Sequence, residues 1–91
     1  AKIYIDQGAT KALKSGKSLL PAGIIKISGN FKKGDNILII DDNNKDVARA
    51  LSSFTSEEIN KIKGLQSNQI ENILGYASKS EIIHKDDIVI L

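Results

Sequence analysis

The sequence predicts a mixed, mainly β fold: a pseudo-barrel of short strands with one helix near the N-terminus and two short helices in the second half. Three observations carry this. Leu19 to Ile40, reading LLPAGIIKISGNFKKGDNILII, packs a Pro-Ala-Gly corner, an Ile-rich run, a Gly-Asn turn, a Gly-Asp turn and a second Ile-rich run into 22 residues. Short β-branched runs also open and close the chain, as KIYI and DIVIL. Such runs, punctuated by turn residues at close spacing, are the pattern of all-β segments, and short strands tend to close on themselves rather than leave edges exposed. Third, helical periodicity is confined to a segment after Asp6 and to the stretch from Thr55 to Gly75.

Each element has a local cause. Lys2 to Ile5 alternates polar and apolar residues, as a half-buried strand does. Asp6 is placed to cap a helix from Gln7 to about Ser15, and Gly16 to stop it. Ala9, Ala12 and Leu13 form its apolar stripe, with Lys11 and Lys14 on the opposite face and Lys17 in the loop beyond. Pro21 and Gly23 make a corner before a strand from Ile24 to Ser28, whose parity assigns Ile25 and Ile27 to one face and Ile24, Lys26 and Ser28 to the other. Gly29-Asn30 and Lys32-Lys33-Gly34-Asp35 are turns. Asn36 to Ile40 is almost wholly apolar, which predicts a strand covered on both faces. Asp41 to Asn44 turns the chain into a returning strand from Val47 to Ser53.

In the second half, Thr55 and Glu58 are spaced as a capping box, with Phe54 and Ile59 as a hydrophobic staple, and Gly64 ends that helix. Ser67 opens a shorter helix with Ile70, Ile73 and Leu74 at core spacing and Gly75 as its stop. Glu81 to His84 and Ile88 to Leu91 read as two final β segments joined by Lys85-Asp86-Asp87.

Ninety-one residues make one domain, residues 1–91. A chain of this length buries only about 60–65% of its unfolded surface, so single core residues weigh heavily. There is no cysteine, hence no disulfide or thiolate zinc site, which fits a cytoplasmic location. No run of 18 apolar residues and no signal peptide are present, so no membrane partner is expected. With no methionine and β-like text at both ends, the chain is expected to be a domain excised from a longer polypeptide.

The net charge of +2 hides an asymmetry. Residues 1–34 hold seven lysines and one acid, a net +6, whereas residues 35–91 hold six bases and ten acids, a net −4. A basic third on a nearly neutral whole suits a phosphate-facing surface. The surplus of Ile, Lys and Asn equally fits a compositional bias that places lysine on any surface, and both readings stay open.

Catalytic motifs are missing. The glycines form neither GxGxxG nor GxxxxGK[ST]. His84 is the only histidine, and beside Asp86 and Asp87 at a strand end it is expected to be structural. Asp41, Asp42 and Asp46 are explained by an Asx-rich turn without a metal. Of the four aromatics, Phe31 lies next to Lys32 and Lys33; barrel core is its expected place, with base stacking the alternative.

The order of corner, strand, GNF, KKGD and strand resembles the core of a PUA domain, a small pseudo-barrel of RNA-modifying and some metabolic enzymes. The words DQGA, SLLPAGI, GNFKKGD, SFTSEEI, IKG, IENILGY and IHKDDIV together resemble the C-terminal PUA domain of bacterial glutamate 5-kinases over essentially all 91 residues. That resemblance implies a parent enzyme, a homo-oligomer, that phosphorylates the γ-carboxylate of glutamate with ATP and magnesium in the first step of proline biosynthesis, under feedback by proline. It implies an amino-acid-kinase domain before Ala1, and a fragment that itself is not an enzyme and holds no cofactor or metal. Two roles follow from it: a regulatory and architectural module contacting the kinase domain around Leu65, Ile70 and Tyr76, or an RNA-binding module. The first helix, its loop and the next strand of RNA-binding PUA domains map onto Lys11, Lys14, Lys17, Pro21, Ala22, Gly23 and Lys26, with Lys32 and Lys33 added from the basic third.

Overall fold

Residues 1–75 and 81–91 are described in the computed structural model. Among the described residues five strands form one sheet: β1 (Lys2–Ile5), β2 (Ile24–Ser28), β3 (Asn36–Ile40), β4 (Asp46–Leu51) and β5 (Ile88–Ile90), in the order β2-β1-β3-β4-β5. Only β1 and β3 run parallel; every other neighbour is antiparallel. Helix α1 (Gln7–Lys14) follows β1, and α2 (Ser56–Ile62) and α3 (Ile70–Leu74) follow β4.

The end strands β2 and β5 do not pair with each other, so the closure is that of a pseudo-barrel. Helix α2 packs on β2, and an isolated bridge joins Leu19 to Ile83. That bridge is all that forms of the strand expected over Glu81 to His84; after it, residues Lys85–Asp87 make a 3-10 turn into β5.

The inner face of the sheet carries the core. Ile3 and Ile5 from β1, Ile37 and Ile39 from β3 and Ala48 and Ala50 from β4 are all buried, and they pack with Leu13, Leu19, Phe54, Ile59, Ile62, Ile82 and Ile83. Phe31 is buried at 5% exposure, so its place is the core rather than a stacking platform.

Local chemistry sets the helix ends. The Ala9 amide donates to Asp6 Oδ1 at 2.8 Å, capping α1. The Gly16 and Lys17 amides return to the Leu13 and Ala12 carbonyls at 3.0 Å each, a Schellman closure that needs the left-handed Gly16 at φ 83°. The capping box of α2 is complete: the Glu58 amide donates to Thr55 Oγ1 at 3.2 Å and the Thr55 amide to Glu58 Oε1 at 2.8 Å. Both staple residues, Phe54 and Ile59, are fully buried. Two buried serines pin the loops: Ser52 Oγ donates to the Phe54 carbonyl at 2.6 Å, and Ser56 Oγ accepts from the Phe31 amide at 3.1 Å.

Three local expectations are corrected. Ile24 pairs with Ile5 while Lys26 pairs with Tyr4, so β2 carries a bulge that takes Ile25 out of the alternation. Ile24 is therefore buried and Ile25 is 51% exposed, so it is Ile24, not Ile25, that joins Ile27 against the core. In the last helix, the Ser67–Gln69 stretch is a 3-10 turn whose opening amide, Gln66, is held by Gln69 Oε1 at 3.0 Å. The five-residue α3 then buries Ile70 and half-buries Leu74, leaving Ile73 exposed. Ile70, expected both at core spacing and in a docking surface, is core; Tyr76 lies outside the described residues.

Candidate nucleic-acid interface

The corner after α1 is held against the rest of the fold by backbone bonds. The Asp6 amide donates to the Gly23 carbonyl at 3.0 Å, and the Gly64 amide to the Pro21 carbonyl at 2.7 Å. Leu19 exchanges bonds with Ile82 and Ile83, and the Lys85 amide donates to Ser18 Oγ at 2.9 Å. Residues 21–23 form a 3-10 turn lying directly on α1: a Cβ placed on Gly23 would sit 2.5 Å from Ala9 Cβ. Only glycine permits this approach.

Between α1 and that turn runs an open groove of about 450 Å³. Its walls are mainly apolar, from Ala9, Ala12, Leu20 and Ala22, with Lys17 at one side. Two carboxylates, Asp6 and Glu81, also line it, and Asp6 is occupied as the helix cap.

The nine residues expected to face RNA are distributed over separate places. Lys17, Ala22 and Gly23 line the groove. Pro21 is fully buried beneath it. Lys11 and Lys14 are exposed on another side of α1, where they line a cleft of about 210 Å³ with Asp41 and Asp42 of the β3–β4 turn. Lys26 points outward from β2, its Nζ 4.6 Å from the centre of the Tyr4 ring. Lys32 lines a third, more polar cavity of about 720 Å³ with Asp35, Thr55 and Glu57, and Lys33 is exposed in the same turn.

Electrostatics reinforce this division. Asp41 Oδ1 accepts from the Lys45 and Asn43 amides, each at 2.9 Å. The Lys45 amide is the larger influence, and with the Asn43 amide and the charges of Lys45 and Lys14 it holds the Asp41 carboxyl below the usual aspartate range. The charge of Lys14 is thus partly answered within the molecule. His84 Nδ1 accepts from the Asp86 amide at 3.1 Å and caps the 3-10 turn before β5, the structural role expected of it.

Sequence reasoning missed Leu20, 47% exposed in the groove, and Glu81, which reaches it from the far end of the chain. It also missed the outward residues of β4 and β5. The alternation in DVARAL, with alanines inward and Arg49 and Leu51 outward, was the available signal.

The chain is similar to glutamate 5-kinases along nearly its whole length. It is 62% identical over 87 residues to the glutamate 5-kinase of Pelagibacter ubique, covering 96% of this chain and 24% of that protein. It is 47% identical over 91 residues to that of Thermoanaerobacter sp. (strain X514), covering 99% and 24%. The chain therefore spans about a quarter of the length of these relatives. Among solved structures, a PUA domain from Aeropyrum pernix K1 superposes with a TM-score of 0.66 at 18% identity, over 91% of this chain and 40% of that one. A chain of the archaeal box H/ACA sRNP Nop10-Cbf5 complex gives 0.64 at 24% identity, over 99% and 23%. A profile of the PUA domain matches residues 1–74, and the chain belongs to the PUA domain family.

Proposed function

We propose that this chain is the non-catalytic, C-terminal module of a glutamate 5-kinase-type enzyme, serving the regulation and architecture of a kinase domain that precedes Ala1. The observation that carries this reading is the 47–62% identity to glutamate 5-kinases across nearly the entire chain but only 24% of theirs. The parent would be a cytoplasmic homo-oligomer transferring the γ-phosphoryl group of ATP, with magnesium, to the γ-carboxylate of glutamate at the head of proline biosynthesis. ATP, magnesium and glutamate would be held by the preceding domain. The scatter of the basic residues also favours a service role, since Lys11 and Lys14 face Asp41 and Asp42 rather than the groove.

The test compares the full-length enzyme with a version ending before Ala1. Turnover at saturating glutamate and ATP is expected to survive, while the proline concentration giving half-inhibition shifts severalfold. Identical proline curves would overturn the regulatory role.

A second reading, RNA binding, is favoured by one feature: Lys17, Ala22 and Gly23 converge on a groove beside α1. It predicts binding of a short structured RNA, followed by fluorescence anisotropy, that is strong at about 50 mM salt and largely lost at about 200 mM. Lys17→Glu should weaken it more than Lys11→Glu. Absence of binding at the lower salt removes this reading.

A further inference from the structure

The outer face of the sheet carries an apolar and basic row, half-buried at Leu38 and exposed at Lys2, Arg49, Leu51 and Val89. The alternation that sends Ile3, Ile39 and Ala48 inward sends Lys2, Leu38 and Arg49 outward, and the register sets Lys2 beside Leu38, Leu38 beside Arg49 and Arg49 beside Val89. Leu51 lies two residues further along β4 on the same face. Val89 is 66% exposed and Leu51 44%, a large apolar exposure for neighbouring strands of one small sheet. The chain's first residue lies at the end of this row: the Leu38 amide donates to the Ala1 carbonyl at 3.2 Å, a ladder bond in the plane of the sheet. A polypeptide joined ahead of Ala1 therefore enters beside Lys2 and Leu38.

We propose that this face, centred on Leu38, Leu51 and Val89, is where the preceding kinase-type domain docks, through an apolar patch bearing acidic side chains opposite Lys2 and Arg49. The inference rests on the parent reading given above, in which this chain is the last quarter of a longer protein. Two other occupants fit less well. A two-fold contact between copies would bring Lys2 and Arg49 of each copy toward those of the other, a like-charge arrangement. Among the described residues RNA would find one aromatic in this part of the sheet, Tyr4, half-buried and already covered by Lys26.

Hydroxyl-radical footprinting of the full-length protein reads side-chain exposure directly. Leu20, on the groove, is 47% exposed and serves as the internal reference for Leu51. Docking predicts labelling of Leu51 and Val89 reduced at least severalfold relative to Leu20, and restored in Arg49→Glu with the oligomer size unchanged. Labelling of Leu51 and Val89 equal to that of Leu20 overturns the proposal. So does restored labelling accompanied by dissociation of the oligomer, which would assign the face to a second copy, and so does protection gained only on adding RNA. Glutamate-dependent ATP consumption measured on the same wild-type sample separates the two inferences. If it is absent, the parent reading fails; if it is present with an unprotected face, only the docking surface fails.

Discussion

The two faces of this sheet are made by the same strands and the same alternation, yet they do different work. Inward, Ile3, Ile5, Ile37 and Ile39 are completely buried. Outward, Lys2, Arg49 and Val89 are exposed, and Leu38 between Lys2 and Arg49 is half-buried. A domain of this size needs its inner face for stability, since its net folding free energy is only about 5–15 kcal/mol. It does not need large aliphatic residues on the outer face, where Leu51 and Val89 remain in water. What is costly to change marks the fold, and what is apolar yet cheap to change is free to serve the contact proposed for this face.

The largest expected effect lies inside. Ile39→Ala should destabilise the domain by about 2–5 kcal/mol, because truncating a fully buried Ile loses its transfer energy and leaves a cavity. Thermal or urea unfolding measures it. Gly23→Ala should cost about 1–3 kcal/mol, since the new methyl meets Ala9 Cβ at 2.5 Å and α1 must move off the turn. It should also reshape the groove, visible as amide shifts at Asp6 to Ala9 in an NMR spectrum. Thr55→Ala removes half of the capping box and should cost about 1 kcal/mol by urea unfolding.

On the outer face, Leu51→Asp should shift unfolding by about 1 kcal/mol or less, as expected for an exposed strand residue. A loss as large as that of Ile39→Ala would break the contrast between the faces. The smallest effect belongs to the β3–β4 turn. The Asp41 carboxyl titrates below the ordinary aspartate value, so its charged form contributes stability that is present above the unfolded-state value and lost as pH falls through the folded one. Asp41→Asn keeps an acceptor for the Lys45 and Asn43 amides but removes the charge. Its small deficit in urea midpoint should therefore appear at neutral pH and vanish in acid.

Features resting on short-range chemistry were legible before the structure. The Asp6 cap, the Thr55–Glu58 box, the Gly16 and Gly75 stops and the Asp41 turn each depend on residues within a few positions of one another. Features that depend on pairing were not. The bulge opposite Tyr4 and Ile5 exists only once β2 meets β1, and it exchanges the roles of Ile24 and Ile25. The strand expected from Glu81 shrinks to one bridge because its partner is the Leu19 corner rather than a full strand. The basic third was visible as a count, but the side of α1 that meets Asp41 and Asp42 is decided by how the helix seats against the β3–β4 turn. For the same reason charge counting merged lysines that the fold keeps apart.

The most direct measurement is the proline-inhibition curve of the full-length enzyme carrying Leu51→Asp and Val89→Asp together. The account predicts turnover close to wild type and a severalfold shift in the proline concentration for half-inhibition. A curve superimposable on wild type, from a protein that has folded normally, would contradict the claim that the outer face connects this domain to the kinase.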